Sequence, residues 1–203
     1  NYLLNGYKEL KKVGRELKKH KSLAKFLSAF FVYNMSVQTV MLIATLFGSK
    51  ELKLESSQLI TVILVIQLLA VIGAYGFSSL AKKRGNIFTL KISVLVWIGV
   101  CISAYFVYTA AHFYILAAIV GLVMGGIQSL SRSTYSKMLP ETEDPTIYFS
   151  YYDVTDKLCI VCGMGIFGII EQVSESMRNP ILALLLFFIA GYILLLRIPK
   201  ANN

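Results

Sequence analysis

Six long apolar blocks, separated by short polar segments, make up most of this chain. A helix that crosses the ~30 Å hydrocarbon layer of a membrane needs ~20 mostly apolar residues, and each block is long enough. The blocks lack the alternation of a barrel strand, and backbone in lipid must satisfy its own hydrogen bonds. The pattern therefore predicts an all-α, integral membrane six-helix bundle, with spans at 24–47, 58–81, 88–109, 112–139, 146–170 and 180–198.

The composition supports a membrane environment over a soluble one. Hydrophobic residues make up 56% of the chain and charged residues only 15%, and the mean hydropathy is +0.66. Soluble domains average about 45–50% apolar and about 25% charged residues. A soluble domain of this composition would have too few polar residues to cover its outside, so the apolar surplus is expected to face lipid.

The net charge of +9 is distributed as in a membrane protein and does not form a nucleic-acid-binding stripe. Eight of the twenty Lys and Arg lie before residue 26. With six spans, sixteen of them lie on the side of the two termini, three lie on the opposite side, and Lys157 lies within a helix. Because cytoplasmic segments are enriched in Lys and Arg, both termini are predicted to be cytoplasmic, with the chain multi-pass in a bacterial inner membrane.

Residues 1–23 form a basic segment, and 199–203 a short cytoplasmic tail. Leu10, Val13 and Leu17 share one face of a potential helix. This amphipathic segment could lie on anionic headgroups, connect two halves of a larger protein, or do both. Because the chain begins at Asn1 rather than Met, we interpret its start as a truncation point inside a longer protein.

Polar residues concentrate on the first and fourth helices, whereas the third and sixth are apolar almost all round and are expected to be lipid-facing scaffold. Asn34 and Gln38 share a face of the first helix, and Gln128 and Arg132 share a face of the fourth. Such residues could simply bond neighbouring helices, at ~0.6 kcal/mol each. Their concentration instead favours a shared cavity, so we assign these four to a substrate pathway.

The fifth helix carries Asp153, Asp156 and Lys157 on one face. A membrane segment starting at Leu158 would have too few residues to span, so the charged turn is expected at membrane depth. Asp153 and Lys157 have the i, i+4 spacing of an ion pair. This pair could be a buried packing device, a gate or a proton-linked site. We favour packing or gating, because an acid partnered with a cation tends to stay ionised.

Enzymatic, metal and cofactor chemistry are not expected. Cys159 and Cys162 form a C-x-x-C motif within an apolar run without further ligands nearby, which favours helix packing over metal binding. His20 and His112 lie at membrane edges without ligand partners, and the chain has no phosphate-binding glycine loop.

Three segments carry a resemblance to a known family: YNMSVQTVMLIATLFGSKEL at 33–52, the stretch 95–140, and the ending ILALLLFFIAGYILLLRIP. The G-G-x-Q-x-L-S-R-S motif at 125–133 is the most specific part. In these segments the chain resembles the carboxy-terminal half of bacterial permeases that are related to the yeast vacuolar effluxer of autophagy, within the major facilitator superfamily. The resemblance implies helices seven to twelve of a twelve-helix parent, a 3+3 inverted repeat, and amino-acid efflux.

Two positions depart from the family pattern. The family has Y-N-D-G where this chain has Tyr33, Asn34, Met35 and Ser36, so an acid is missing from the cavity helix. Lys82 also stands where the family has an acid before a basic pair. The first departure argues against proton coupling through this half, and the second against a charge-latched loop.

The sequence thus predicts half of a secondary transporter that moves a small polar solute by alternating access. The expected partners are membrane lipid, the solute, the missing amino-terminal half and, for this fragment alone, further copies of itself, but not nucleic acid. The alternative is a complete six-helix protein acting as a homo-oligomeric channel or as a non-transporting scaffold.

The predicted topology can be tested by cysteine labelling after replacement of the three native cysteines. We expect cysteines at Lys53 and Arg178 to react with an impermeant reagent from outside, and those at Lys19 and Arg84 only from the cytoplasm. Labelling of positions 53 and 84 from the same side would overturn the six-span arrangement.

Overall fold

A computed structural model describes residues 13–17, 19–140, 145–174 and 178–198, and every long element in this part of the chain is an α-helix. Six helices follow one another: α1 Lys21–Lys50, α2 Ser56–Arg84, α3 Asn86–Tyr105, α4 Ala110–Met138, α5 Pro145–Ser174 and α6 Asn179–Leu196.

The helix boundaries follow local capping chemistry. The side chains of Glu55 and Gln58 form a reciprocal capping box at the start of α2. Gly85, with φ of 86°, separates α2 from α3 in a backbone conformation that a side chain would strain. The third helix ends at Tyr105, earlier than the predicted span, because Thr109 instead caps α4 by accepting from the His112 amide.

Five of the described helices are long and apolar enough to cross a membrane, judged by length and composition: α1, α2, α3, α4 and α6. The 30-residue α5 carries the charged turn and is not among these five. Its length corresponds to about 45 Å, more than a hydrocarbon layer requires. The membrane crossing of α5 therefore stays a prediction, whereas the all-helical membrane bundle is confirmed.

The packing of the six helices repeats after three. The pairing of α2 with α4 corresponds to that of α5 with α1, and the pairing of α1 with α6 corresponds to that of α4 with α3. When the first three helices are exchanged with the last three, the α1–α4 and α3–α6 pairs remain the same pairs. This correspondence is what a 3+3 inverted repeat requires.

Glycines allow the backbones of α2 and α4 to come into direct contact. A Cβ atom at Gly73 would overlap the backbone carbonyl of Leu122, and one at Gly125 would overlap that of Ala70. Small residues that admit direct backbone contact are the usual device for holding helices together in lipid, where apolar burial provides no driving force.

The helices α3 and α6 pack on each other away from the polar part of the bundle. The Trp97 and Phe188 rings stack with centroids 5.3 Å apart and planes 14° apart. Their outer faces expose Leu95, Leu186 and Ile193. The two helices thus have the scaffold position that their apolar sequences predict.

The basic amino-terminal segment contacts the bundle where the structure describes it. Residues 13–17 are helical, and Val13 and Leu17 are buried. The Tyr148 hydroxyl of α5 donates to the Glu16 carboxylate at 3.0 Å. The predicted apolar face therefore packs on protein in this stretch rather than on lipid alone, and Leu10 lies outside the described residues.

Because α2 and α4 are in close contact, adding one methyl group to a glycine of α2 should lower stability at the contact but not elsewhere on the helix. We expect Gly73→Ala to destabilise the protein by about 1–3 kcal/mol, because the new Cβ would force the two backbones apart. Gly76→Ala is the matched control, since that glycine on the same helix has open space around it. Thermal unfolding in detergent measures both, and equal midpoints would contradict the packing.

Candidate functional site

A cleft of about 790 Å³ opens between α1, α4 and α5. Its wall combines polar, charged and aromatic side chains, and all seven residues that the sequence singles out belong to it. The lining consists of Phe30, Asn34 and Gln38 from α1, of Gln128, Ser129, Arg132, Ser133 and Ser136 from α4, and of Phe149, Tyr152, Asp153, Asp156, Lys157 and Ile160 from α5.

Asp156 is the polar centre of the α1 side of the cleft. The Asn34 amide donates to its Oδ1 at 2.8 Å, and the Gln38 amide donates to the same oxygen at 2.7 Å. The two donors are one helical turn apart, so both reach a single carboxylate on the facing helix. The two hydrogen bonds hold the Asp156 side chain of α5 against α1.

Arg132 crosses the cleft from α4 towards α5. Its guanidinium lies 3.5 Å from the Asp153 carboxylate and packs over the Phe149 and Tyr152 rings, 5.6 and 6.0 Å from their centroids. Tyr152 in turn stacks on Phe30 of α1 at 4.6 Å. These aromatic side chains form a wall that holds the arginine while leaving its donors directed into the cleft.

The predicted pairing of Asp153 with Lys157 is wrong. Asp153 pairs with Arg132 of α4, and Lys157 lies 3.5 Å from its neighbour Asp156. The charges also face the open cleft: the side chains of Arg132, Asp153 and Lys157 are 57%, 55% and 74% exposed, and only that of Asp156 is mostly covered, at 20%. Asp153 therefore pairs with a residue on a facing helix and not with the residue four positions later on its own helix.

The cleft closes towards the ends of α1 and α5 that carry Lys50 and Glu171. Gly163 lets the α5 backbone approach the Met35 carbonyl and the Thr39 hydroxyl of α1. Further along, the Lys50 amine lies 2.9 Å from the Glu171 carboxylate. The two helices are therefore in backbone contact in this half, whereas around the cleft they meet through side chains, as in the Phe30–Tyr152 stack and the Asn34–Asp156 hydrogen bond.

The structure changes the interpretation of position 35. Met35 is buried, its carbonyl lies next to Gly163 of α5, and it does not line the cleft, where Asn34 and Gln38 stand instead. The position at which the resemblance implies an acid is thus a packing position in this chain and not part of the cleft wall.

Sequence reasoning missed the aromatic part of the site. Phe30, Phe149 and Tyr152 were not selected, although Phe149 and Tyr152 precede Asp153 and Asp156 by four residues and share their helix face. Aromatic residues are common on lipid-facing surfaces, so their presence alone does not indicate a site. Their position on the same helix face as the acids is the sequence signal that could have identified them.

The cysteine motif divides into two different environments. Cys159 is buried and its thiol donates to the Phe31 carbonyl at 3.4 Å, whereas Cys162 is exposed. Both are free thiols, and in the described ranges no three His, Cys, Asp or Glu side chains are close enough to hold a metal ion.

The different surroundings of the two acids predict different costs of removing them. We expect Asp156→Leu to lower stability by about 1–3 kcal/mol, because it leaves the buried Asn34 amide without its acceptor. Asp156→Asn retains an acceptor oxygen and should recover part of the loss. Asp153→Leu, at an exposed ion pair, should change stability by no more than ~1 kcal/mol. Similar unfolding midpoints for the two leucine variants would contradict this arrangement.

Comparison with known proteins identifies relatives along the whole chain. The family described as "Vacuole effluxer Atg22 like" matches residues 1–202. The MFS-type transporter YxiO of Bacillus subtilis is 28% identical over 99% of this chain and 46% of its own length. Autophagy-related protein 22 of Eremothecium gossypii is 30% identical over 94% of this chain and 39% of its own length, and that of Saccharomyces cerevisiae strain S288c is 25% identical over 100% and 39%.

The chain spans less than half the length of these relatives. The match covers all six helices and every residue of the cleft. Together with the membrane bundle and its repeated packing, it shows that the chain belongs to the Atg22-like vacuole effluxer family, within the major facilitator superfamily.

Proposed function

We propose that this chain is one half of a secondary transporter that moves a small polar solute by alternating access, with the cleft as half of the solute pathway. The observation that carries the proposal is the position of the charges. Asp153, Asp156, Arg132 and Lys157 lie together on one open surface of an otherwise apolar bundle. Ionisable groups at membrane depth are costly and typically line a water-filled path.

The charge pattern of the cleft fits a zwitterion. Two acids and two cations alternate across the wall, with no net charge, and three of the four side chains are more than half exposed. A solute with a carboxylate could pair with Arg132, whose fork of donors suits a planar anion, while its ammonium group meets Asp153 or Asp156. This arrangement supports amino acids as the class of solute.

The position of the cleft along the helices supports an inward-open arrangement. Its lining lies mostly in the halves of α1, α4 and α5 towards the end that carries Lys25, Lys137 and Arg197. The charge distribution predicts that this end is cytoplasmic. Opening of the Lys50–Glu171 contact, with closure near Arg132, would then expose the site to the other side.

We further propose a bacterial inner membrane as the location, both termini in the cytoplasm, and an amino-terminal half that supplies the opposite wall. The relatives are more than twice as long as the aligned region, which leaves room for such a half. Self-association of the fragment would be a substitute for that missing surface. No feature of the cleft favours nucleic acid as a partner.

The proposal is tested by solute flux into proteoliposomes that contain the protein together with its amino-terminal half. We expect Arg132→Gln to reduce transport of a neutral amino acid at least tenfold and to have little effect on its methyl ester, which lacks the carboxylate. Lys137→Gln is the matched control, because that cation on the same helix lies outside the cleft lining. Circular dichroism and unfolding midpoints verify that both variants fold.

Equal transport by the two variants would remove Arg132 from the pathway. Loss of amino-acid and ester transport alike would keep the pathway but reject carboxylate recognition. Robust flux through the 203-residue chain alone would instead favour the homo-oligomeric channel.

A further inference from the structure

A second depression lies on the outer side of the α1–α5 pair, opposite the charged cleft. It has a volume of about 400 Å³ and none of its lining residues belongs to the cleft. The helical turn 13–17 forms one wall through Leu17, α1 contributes Leu27 and Phe31, α5 contributes Tyr151, and α6 contributes Leu194. We refer to this depression as the outer crevice.

The outer crevice has the depth and chemistry of a site for a hydrocarbon chain. Its α1 wall runs from Ala24 to Val32, which corresponds to about 12 Å along the helix. Since the first predicted span begins at Ala24, this wall starts at the membrane boundary and continues into the hydrocarbon layer. Apolar side chains dominate the wall, and a water-filled crevice at this depth would be unfavourable.

Cations surround the crevice at its membrane-boundary end. Lys21 and Lys25 are exposed, and Lys21 precedes the wall residue Ala24 by one turn of the same helix. The Lys25 amine donates to the carbonyl of Arg197 at 3.3 Å, which positions it at the end of α6, close to Leu194 of the wall. Arg15 is exposed on the turn that forms the opposite wall.

Glu16, the acidic residue of the described turn 13–17, is already engaged. Glu16 accepts the hydrogen bond of Tyr148, so its carboxylate is directed towards α5. The exposed end of the crevice therefore has a local excess of positive charge above a hydrocarbon-lined groove. An anionic phospholipid combines the two complementary parts, a phosphate for the cations and an acyl chain for the groove.

We propose that the outer crevice binds one anionic phospholipid, with its headgroup phosphate held by Lys21 and Lys25 and one acyl chain lying between Leu27, Phe31 and Tyr151. A lipid in this position contacts the basic amino-terminal turn, α1, α5 and α6 at once. It therefore stabilises the arrangement of α1 and α5, whose other faces form the charged cleft.

The test uses purified, delipidated protein in a neutral detergent, titrated with phosphatidylglycerol or with phosphatidylcholine of the same acyl chains. We expect phosphatidylglycerol to raise the unfolding midpoint at concentrations where phosphatidylcholine does not, because binding to the folded state stabilises it. In the double variant Lys21→Gln/Lys25→Gln, the phosphatidylglycerol concentration required for the same rise in unfolding midpoint should increase about fivefold per cation removed.

The matched control is Lys82→Gln/Lys83→Gln, which removes two exposed lysines from the same end of the bundle but away from the crevice. We expect this variant to respond to phosphatidylglycerol as the unmodified protein does. If both double variants lose the stabilisation by phosphatidylglycerol equally, the lipid is attracted by the general surface charge, and the proposed site is overturned. Equal stabilisation by the two lipids would overturn the preference for an anionic headgroup.

A second measurement locates the acyl chain without relying on variants. Phosphatidylglycerol with a photoreactive group on one chain is irradiated with the protein, and the modified peptides are identified by mass spectrometry. We expect modification within residues 24–32 of α1 or at Tyr151 and Thr155 of α5. Modification spread evenly over the apolar surface, or absence from these segments when the amino-terminal half is present, would contradict the proposal.

Discussion

Lipid offers no hydrogen-bonding groups, so backbone that crosses it must be satisfied within its own helix, and the structure depends on that constraint. The helices satisfy their own backbone groups, and several hydroxyl side chains inside them bond back to the carbonyl one turn earlier, as Thr39 does to Met35 and Thr134 does to Leu130. Amides and charges cannot be satisfied in this way within one helix. A group of them converges from α1, α4 and α5 and forms the cleft.

The cleft and the close helix contacts both depend on the size of the side chains between the helices. Where glycine removes the side chain, as at Gly125 against Ala70 and at Gly163 against Met35, helices touch through their backbones and leave no room for solvent. Where Arg132, Asp153 and Lys157 project, their side chains stay more than half exposed and line the cleft. The position of small and large polar residues along α4 and α5 therefore decides where the bundle is closed and where it is open.

The repeated packing relates the two sides of this arrangement. The α2–α4 contact brings backbones together at Gly73 and Gly125, whereas the corresponding contact between α5 and α1 combines a close approach at Gly163 with side-chain contacts, such as the Phe30–Tyr152 stack, around the cleft. The corresponding helix pairs are thus held by backbone contact on one side and largely by polar and aromatic side chains on the other.

The sequence by itself determined the number of long helices, the membrane environment and the helices that carry polar groups, because these follow from block length, composition and periodicity along a single segment. It also selected Asn34, Gln38, Gln128, Arg132, Asp153, Asp156 and Lys157, all of which line the cleft. Only the tertiary structure decided the pairing. Within α5 the i, i+4 rule favoured Asp153 with Lys157, but Arg132 on α4 and the amides on α1 offered partners from facing helices. Helix periodicity gives the face on which a side chain lies, whereas the distance between faces of different helices depends on packing of the whole bundle.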